Sequence, residues 1–190
     1  MRSSRSGCED VERNRRSELH DLVPQAAVIG FLMNPKHPNS TIEMKGAETA
    51  ARSIGKEIVA SKANSESELN AGFATMAKRR VGAILVGSDT FYNERRDQIV
   101  SLAAQYRIPA IYYVCEFAQA GGLIAYGNSV ADVYHLLGRH VGRILKGEKP
   151  ADLPVQESTK FELVINLKTA KVLGINVLIS MQLLADEVIE

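Results

Sequence analysis

Between Val81 and Ser129 the chain carries two carboxylates and several aromatic rings directly after short apolar runs, and these are the residues best placed to hold a small molecule. The runs are Ala83 to Val86, Ala110 to Val114 and Gly122 to Tyr126. The first gives way to Ser88, Asp89, Phe91 and Tyr92, the second to Glu116 and Phe117, the third to Tyr126 and Asn128. A helix-period segment separates the first two runs, and in open parallel sheets ligands sit beyond the carboxyl ends of the strands. Asp89 or Glu116 suits an ammonium group, and Phe91 and Tyr92 offer apolar faces to a side chain. Each has a plainer alternative: Asp89 as the cap of the helix after it, Phe91 as core.

A second chemistry rests on Cys115, which stands at a strand end beside Glu116, the placement of a nucleophilic cysteine. Such a site needs a base. The four histidines are His20, His37, His135 and His140; the last two fall on a long helix and His20 precedes the first strand, which leaves His37 on the ligand side. A Cys115-dependent α/β hydrolase-like enzyme is therefore an alternative, and the chain is read as a non-enzyme. Cys8 and Cys115 are too far apart in sequence and context to indicate a disulfide framework or a metal knuckle. No GxGxxG or GxxxxGK[ST] loop occurs, so no cofactor is expected.

The elements that position these residues follow from hydrophobic period. Ala26 to Met33 is a nearly continuous apolar run of the kind buried on both faces of a parallel sheet, ending at Asn34 and Pro35. Ser40 and Glu43, then Ser65 and Glu68, carry the spacing of capping boxes. The first opens a helix with Ala47, Ala50, Ala51 and Ile54 inward and a stop at Gly55; the second opens a helix burying Leu69, Phe73 and Met76. Glu57 to Ser61 lies between them as a more exposed strand. A helix over 93–106 buries Ile99, Leu102, Ala103 and Tyr106 and turns its charges outward. A long helix from Asn128 or Ser129 to about Lys146 repeats Val130, Val133, Leu137, Val141 and Ile144 at intervals of three and four, so something must cover that face. The expected divisions are a disordered basic arm over 1–17, an α/β lobe over 18–127, the long helix over 128–147, and a connector, last strand and terminal helices over 148–190. Phe161 to Ile165 is that last strand, Leu167 to Leu173 a short helix stopped by Gly174, and Met181 to Val188 a terminal helical turn or two.

With 190 residues, 45% of them hydrophobic, the chain can bury one sizeable core. A net charge of +1 argues against a strongly electrostatic partner such as duplex nucleic acid, although five arginines fall in the first sixteen residues. No run approaches the roughly 18 apolar residues that would span a bilayer, so membrane insertion is not expected. The N-terminus has the positive charge of a secretory signal without the apolar segment that must follow, so the chain as written is expected to stay cytoplasmic.

The phrases LVPQAAVIGFLMNP, GAILVGSDTFYNERRDQIVSLAAQYRIPAIY, EFAQAGGLIAYG and GRILKGEKPADLPVQESTKFELVINLKTAKVLGI resemble the ABC-transporter substrate-binding proteins related to tryptophan and branched-chain amino-acid binding proteins. The resemblance runs from about Glu18 to Glu190. It implies an α/β fold with a doubly wound, mainly parallel sheet, one lobe of a type I periplasmic binding protein. It also implies a periplasmic setting, an amino acid or similar solute, and an ABC permease as partner. Carried over residue by residue, the cleft wall comprises Asn34 and Ser40 after the first strand, Ser88, Asp89, Phe91 and Tyr92 after the third, and Glu116 and Phe117 after the fourth. Backbone amides at the Ser40 helix start suit a carboxylate; Asn34 and Ser40 alternatively end a strand and cap a helix.

Family members carry a further N-terminal lobe and an export signal, which this sequence is expected to lack. The long helix would cross to that lobe, and binding by a single wall is expected to be impaired. Left uncovered, that helix could instead join two copies of the chain in a homo-oligomer. The effector domain of a small-molecule-sensing transcription regulator shares the expected fold and is the other alternative; it would need a helix-turn-helix, for which the N-terminal arm is too short and too polar.

Overall fold

The computed structural model describes Glu18, residues 22–154, Gln156 and residues 160–190. The predicted basic arm, Cys8 and His20 lie outside the described residues, as do Val155 and Glu157 of the predicted connector.

Seven strands form one sheet: β1 (Val28–Met33), β2 (Glu57–Lys62), β3 (Ala83–Val86), β4 (Ala110–Tyr112), β5 (Ile124–Asn128), β6 (Phe161–Asn166) and β7 (Glu187–Ile189), in the order β2-β1-β3-β4-β5-β6-β7. Every neighbouring pair is parallel except β5 with β6. Between β1 and β5 the helices α1 (Ser40–Ser53), α2 (Glu66–Lys78), α3 (Thr90–Glu94), α4 (Arg96–Gln105) and α5 (Glu116–Gln119) make the crossovers that parallel pairing requires. After β5 come α6 (Val130–Leu145), a short 3-10 turn at Pro150–Asp152, and then α7 (Leu167–Leu173) and α8 (Ile179–Leu184) on either side of the chain's last turn.

The sheet has a core on each face because its central strands are apolar at every position. In β3, Ala83 and Leu85 point into one cluster and Ile84 and Val86 into the other, the period of two that pleating imposes. Leu69, Phe73 and Met76 of α2, Ile99 and Leu102 of α4 and Phe117 of α5 fill the side of Ile84 and Val86; Ala47 of α1, Ala170 of α7 and Met181 of α8 fill the side of Ala83 and Leu85. Each fully buried large side chain contributes about 1.5–3 kcal/mol. The doubly wound, mainly parallel α/β sheet expected from the sequence is the fold observed.

Four local expectations are corrected. Residues 93–106 form two helices, with Arg95 as the break between α3 and α4. The predicted terminal helix ends at Leu184, and Glu187–Ile189 adds a strand parallel to β6. Asp186 is the reason: its N–H donates to the Leu163 carbonyl and its carboxylate accepts from the Leu163 N–H, each at 2.8 Å, which pins the segment to the sheet edge. The β4 strand stops at Tyr112, leaving Tyr113 and Val114 in the loop. Finally, Ser40 is the first helical residue and Asn39 the cap, with no side-chain cap bond, while Glu43 is buried. The second capping box does form at Ser65, whose hydroxyl accepts from the Glu68 N–H at 3.4 Å; Glu68 reaches back to the Asn64 N–H at 2.7 Å.

Candidate functional site

The carboxyl ends of β1, β3, β4 and β5 lie along one edge of the sheet, and the loops leaving them meet there. Asp89, the cap of α3, is the junction. Its Oδ1 accepts from the Phe91 N–H at 2.8 Å and from Asn34 Nδ2 at 3.0 Å, across 55 residues of sequence. The Tyr113 hydroxyl donates to the main-chain carbonyl of Asp89 at 2.5 Å. The loops after β1, β3 and β4 are thereby tied together by side chains from each. Asn34 Oδ1 in turn accepts from the Lys36 N–H at 2.9 Å, an Asx turn that fixes the amide's direction.

Gly127 explains how the β4 loop comes so close. A Cβ there would run into the carbonyl of Tyr113, so only glycine lets this loop lie against β5. Gly87 does the same for the β3 loop: a Cβ would stand 3.0 Å from the Leu32 carbonyl and 3.3 Å from a Glu43 carboxylate oxygen. Glu43 itself lies 4.0 Å from His37 Nδ1.

The predicted site residues divide. Asn34, Ser88, Asp89 and Glu116 are half-buried on the rim, and Asn34 and Asp89 are bonded to each other. Phe91 is half-buried and packs against the core on the α2 side. Tyr92 and Phe117 are corrected: both are fully buried, Tyr92 donating to the Ala63 carbonyl at 2.9 Å and Phe117 stacking on Tyr112 with ring centroids 4.7 Å apart. They support the rim from beneath and present no face to a ligand. Burial, and then the nearby Asp89 carboxylate, push the Tyr92 phenol well above its ordinary value. Ser40 is buried and its N–H donates to the His37 carbonyl, while the Ile42 and Glu43 N–H groups donate to Asn39; the amides counted on to receive a carboxylate are used within the turn.

Tyr113 and Phe161 escaped the strand-end reasoning. Tyr113 was hidden inside a predicted strand. Tyr126 and Phe161 stack at 5.8 Å at the far end of the rim, where β6 returns antiparallel and pairs Asn128 with Phe161. Only the pairing partner of β6 brings Phe161 there.

Cys115 donates to Glu116 Oε2 at 3.5 Å, and burial followed by the Glu116 charge pushes its thiol up to about 11. It is held protonated at neutral pH, the opposite of what a nucleophilic thiolate needs. Among the described residues no group of three or more His, Cys, Asp or Glu side chains could hold a metal ion, and no helix is long and apolar enough to cross a membrane.

Solved structures of similar shape have the same lobe. An ABC domain in complex with L-Trp from Streptococcus pneumonia superposes with a TM-score of 0.85 at 26% identity, over 94% of this chain and 60% of that one. A conserved domain protein from Vibrio cholerae gives a TM-score of 0.85 at 20% identity, over 93% of this chain and 60% of that one. A ligand-free, open substrate binding protein with adhesive properties from Clostridium difficile gives 0.65 at 20%, over 92% and 58%. The latter two show the fold alone. The chain thus spans about 60% of the length of its solved relatives. No curated protein matches it in sequence. The family described as ABC transporter substrate binding protein matches residues 7–189, and with that match over nearly the whole sequence the chain belongs to this family.

Proposed function

We propose that the rim of Asn34, Ser88, Asp89, Tyr113 and Glu116 is one wall of a solute cleft in an ABC uptake system, and that its solute is an amino acid or similar small molecule bearing an ammonium group. The observation that carries this is the meeting of Asn34, Asp89 and Tyr113 from three separate strands at the sheet's carboxyl edge. Both carboxylate bonds of Asp89 fall on Oδ1, so Oδ2 is the oxygen offered to an ammonium. Phe91 at one end and the Tyr126 and Phe161 pair at the other supply apolar surface for a side chain. The L-Trp complex of the Streptococcus relative supports an amino acid as the solute class.

In this reading α6 leads toward a second lobe, whose closing would complete the cleft, and the closed pair docks on a permease in the periplasm. One wall offers half the contacts and leaves the solute in water, so this lobe alone binds weakly. Titrating the isotope-labelled chain with a panel of L-amino acids, tryptophan included, tests it by amide NMR. Shifts confined to residues 34, 88–91 and 113–116 at millimolar ligand are expected, without calorimetric binding in the micromolar range. No shift with any ligand, or shifts elsewhere on the molecule, would end the proposal; micromolar affinity would show that the single wall suffices.

A further inference from the structure

The opposite, amino edge of the sheet carries a surface that the solute wall does not use. A depression of about 760 Å³ lies between the lead-in to β1, the turns before β3 and β4, and the loop joining α7 to α8. Gly82 lets these parts close together: a Cβ there would stand 2.9 Å from the Cβ of Ala26. The walls are largely apolar, with Pro24, Pro109, Leu173, Ile175 and Leu178 among them. Among the described residues that line it, Arg80 alone carries a charge.

Arg80 stands there against backbone preference. It follows α2 with φ of 54°, in the left-handed region that disfavours L side chains; elsewhere the chain uses glycine in this region after helices, at Gly55, Gly147 and Gly174. Arg107 after α4 repeats the geometry, with φ of 53° and the same pair of backbone bonds to the preceding helix. The two side chains then differ. Arg107 Nη2 donates to the Val172 carbonyl at 3.5 Å, near the carboxyl end of α7, which gives that arginine a structural task. The Arg80 residue is exposed, and among the described residues no hydrogen bond or ion pair engages its guanidinium. The fold thus holds an exposed cation on the wall of an apolar hollow at a cost in backbone preference.

A second cation stands at the lip, where Lys56 Nζ donates to the Pro24 carbonyl at 2.6 Å. Glu48 and Glu57 line a separate hollow with Lys56 and Arg52. The described walls of the depression therefore offer positive charge and apolar surface without a carboxylate to receive an ammonium, the reverse of the rim around Asp89. We infer that the depression is a second ligand site, for a small organic carboxylate that has an apolar body and lacks an ammonium group. The carboxylate pairs with Arg80, whose planar guanidinium suits it bidentately, and the body lies against Pro24, Leu173 and Leu178. The volume falls within the range of small-molecule sites, roughly 300–1,000 Å³.

Titrating the isotope-labelled full chain with sodium octanoate, and separately with octanol and octylammonium, tests this by amide NMR. Octanoate at millimolar concentration should shift Arg80, Gly82 and residues 173–176 and leave residues 34, 88–91 and 113–116 unmoved. Octanol and octylammonium should bind the depression about tenfold more weakly. Arg80→Gly keeps the fold, since glycine suits that backbone, and should lower octanoate affinity about tenfold; Arg107→Gly, with the same backbone, should leave it unchanged. No shift at the depression, equal binding of octanol, or undiminished binding by Arg80→Gly would overturn the inference. So would an equal loss in both glycine variants, which would mark a general charge effect, or inorganic phosphate displacing octanoate at equal concentration, which would mark a small-anion site with no use for the apolar walls.

Discussion

Asp89 was legible as a strand-end acid and as a helix cap, and it is both: one oxygen caps α3 and holds Asn34. Asp89→Ala removes the cap and the cross-loop bond and should cost about 1–2 kcal/mol, whereas Asp89→Asn keeps an acceptor and should cost less; urea midpoints of the two variants check the order. Tyr113→Phe removes the hydroxyl bond to the Asp89 carbonyl and should cost about 1 kcal/mol by the same measurement. Cys115 offers a pH readout. With its thiol pushed up to about 11 by burial and Glu116, alkylation should be slow at pH 7 and still rising with pH through 9 and 10. Removing the negative neighbour in Glu116→Gln lowers the thiol's pKa and should speed the reaction at any fixed pH below it. Tyr92 and Phe117 were misassigned for a simple reason. The strand-end rule says how far along the sheet a residue lies, and says nothing of its depth.

Elements with a strong period or a glycine stop were readable: β3 and α7 have the predicted bounds, and Gly174 ends α7 as expected. The short β7 was not, because three residues carry too little pattern to compete with the helical spacing before them. Two glycines separate element from contact. Gly138, inside α6 with nothing near it, gains helix propensity on Gly138→Ala and should stabilise by about 0.5–1 kcal/mol. Gly127→Ala drives a methyl into the Tyr113 carbonyl and should cost roughly 1–3 kcal/mol, with the β4 loop displaced. Paired thermal melts should move in opposite directions.

At the scale of the molecule, α6 dominates. None of its residues is buried, and Tyr134, Leu137, Val141, Ile144 and Leu145 lie exposed along it. In the 190-residue chain by itself this face should draw copies together; light scattering should rise with concentration and fall for Leu137→Asp, and a strict monomer at high concentration would count against the reading. The sequence by itself determined the alternation of strand and helix, the doubly wound class and the amphipathic face of α6, because these follow from the spacing of apolar residues along a local backbone. Only the tertiary structure decided that Asn34, Asp89 and Tyr113 touch and that Phe161 shares their edge. Those groupings depend on strand order and on the single antiparallel pair between β5 and β6, which are set by packing among distant segments and leave no periodic trace in any one of them.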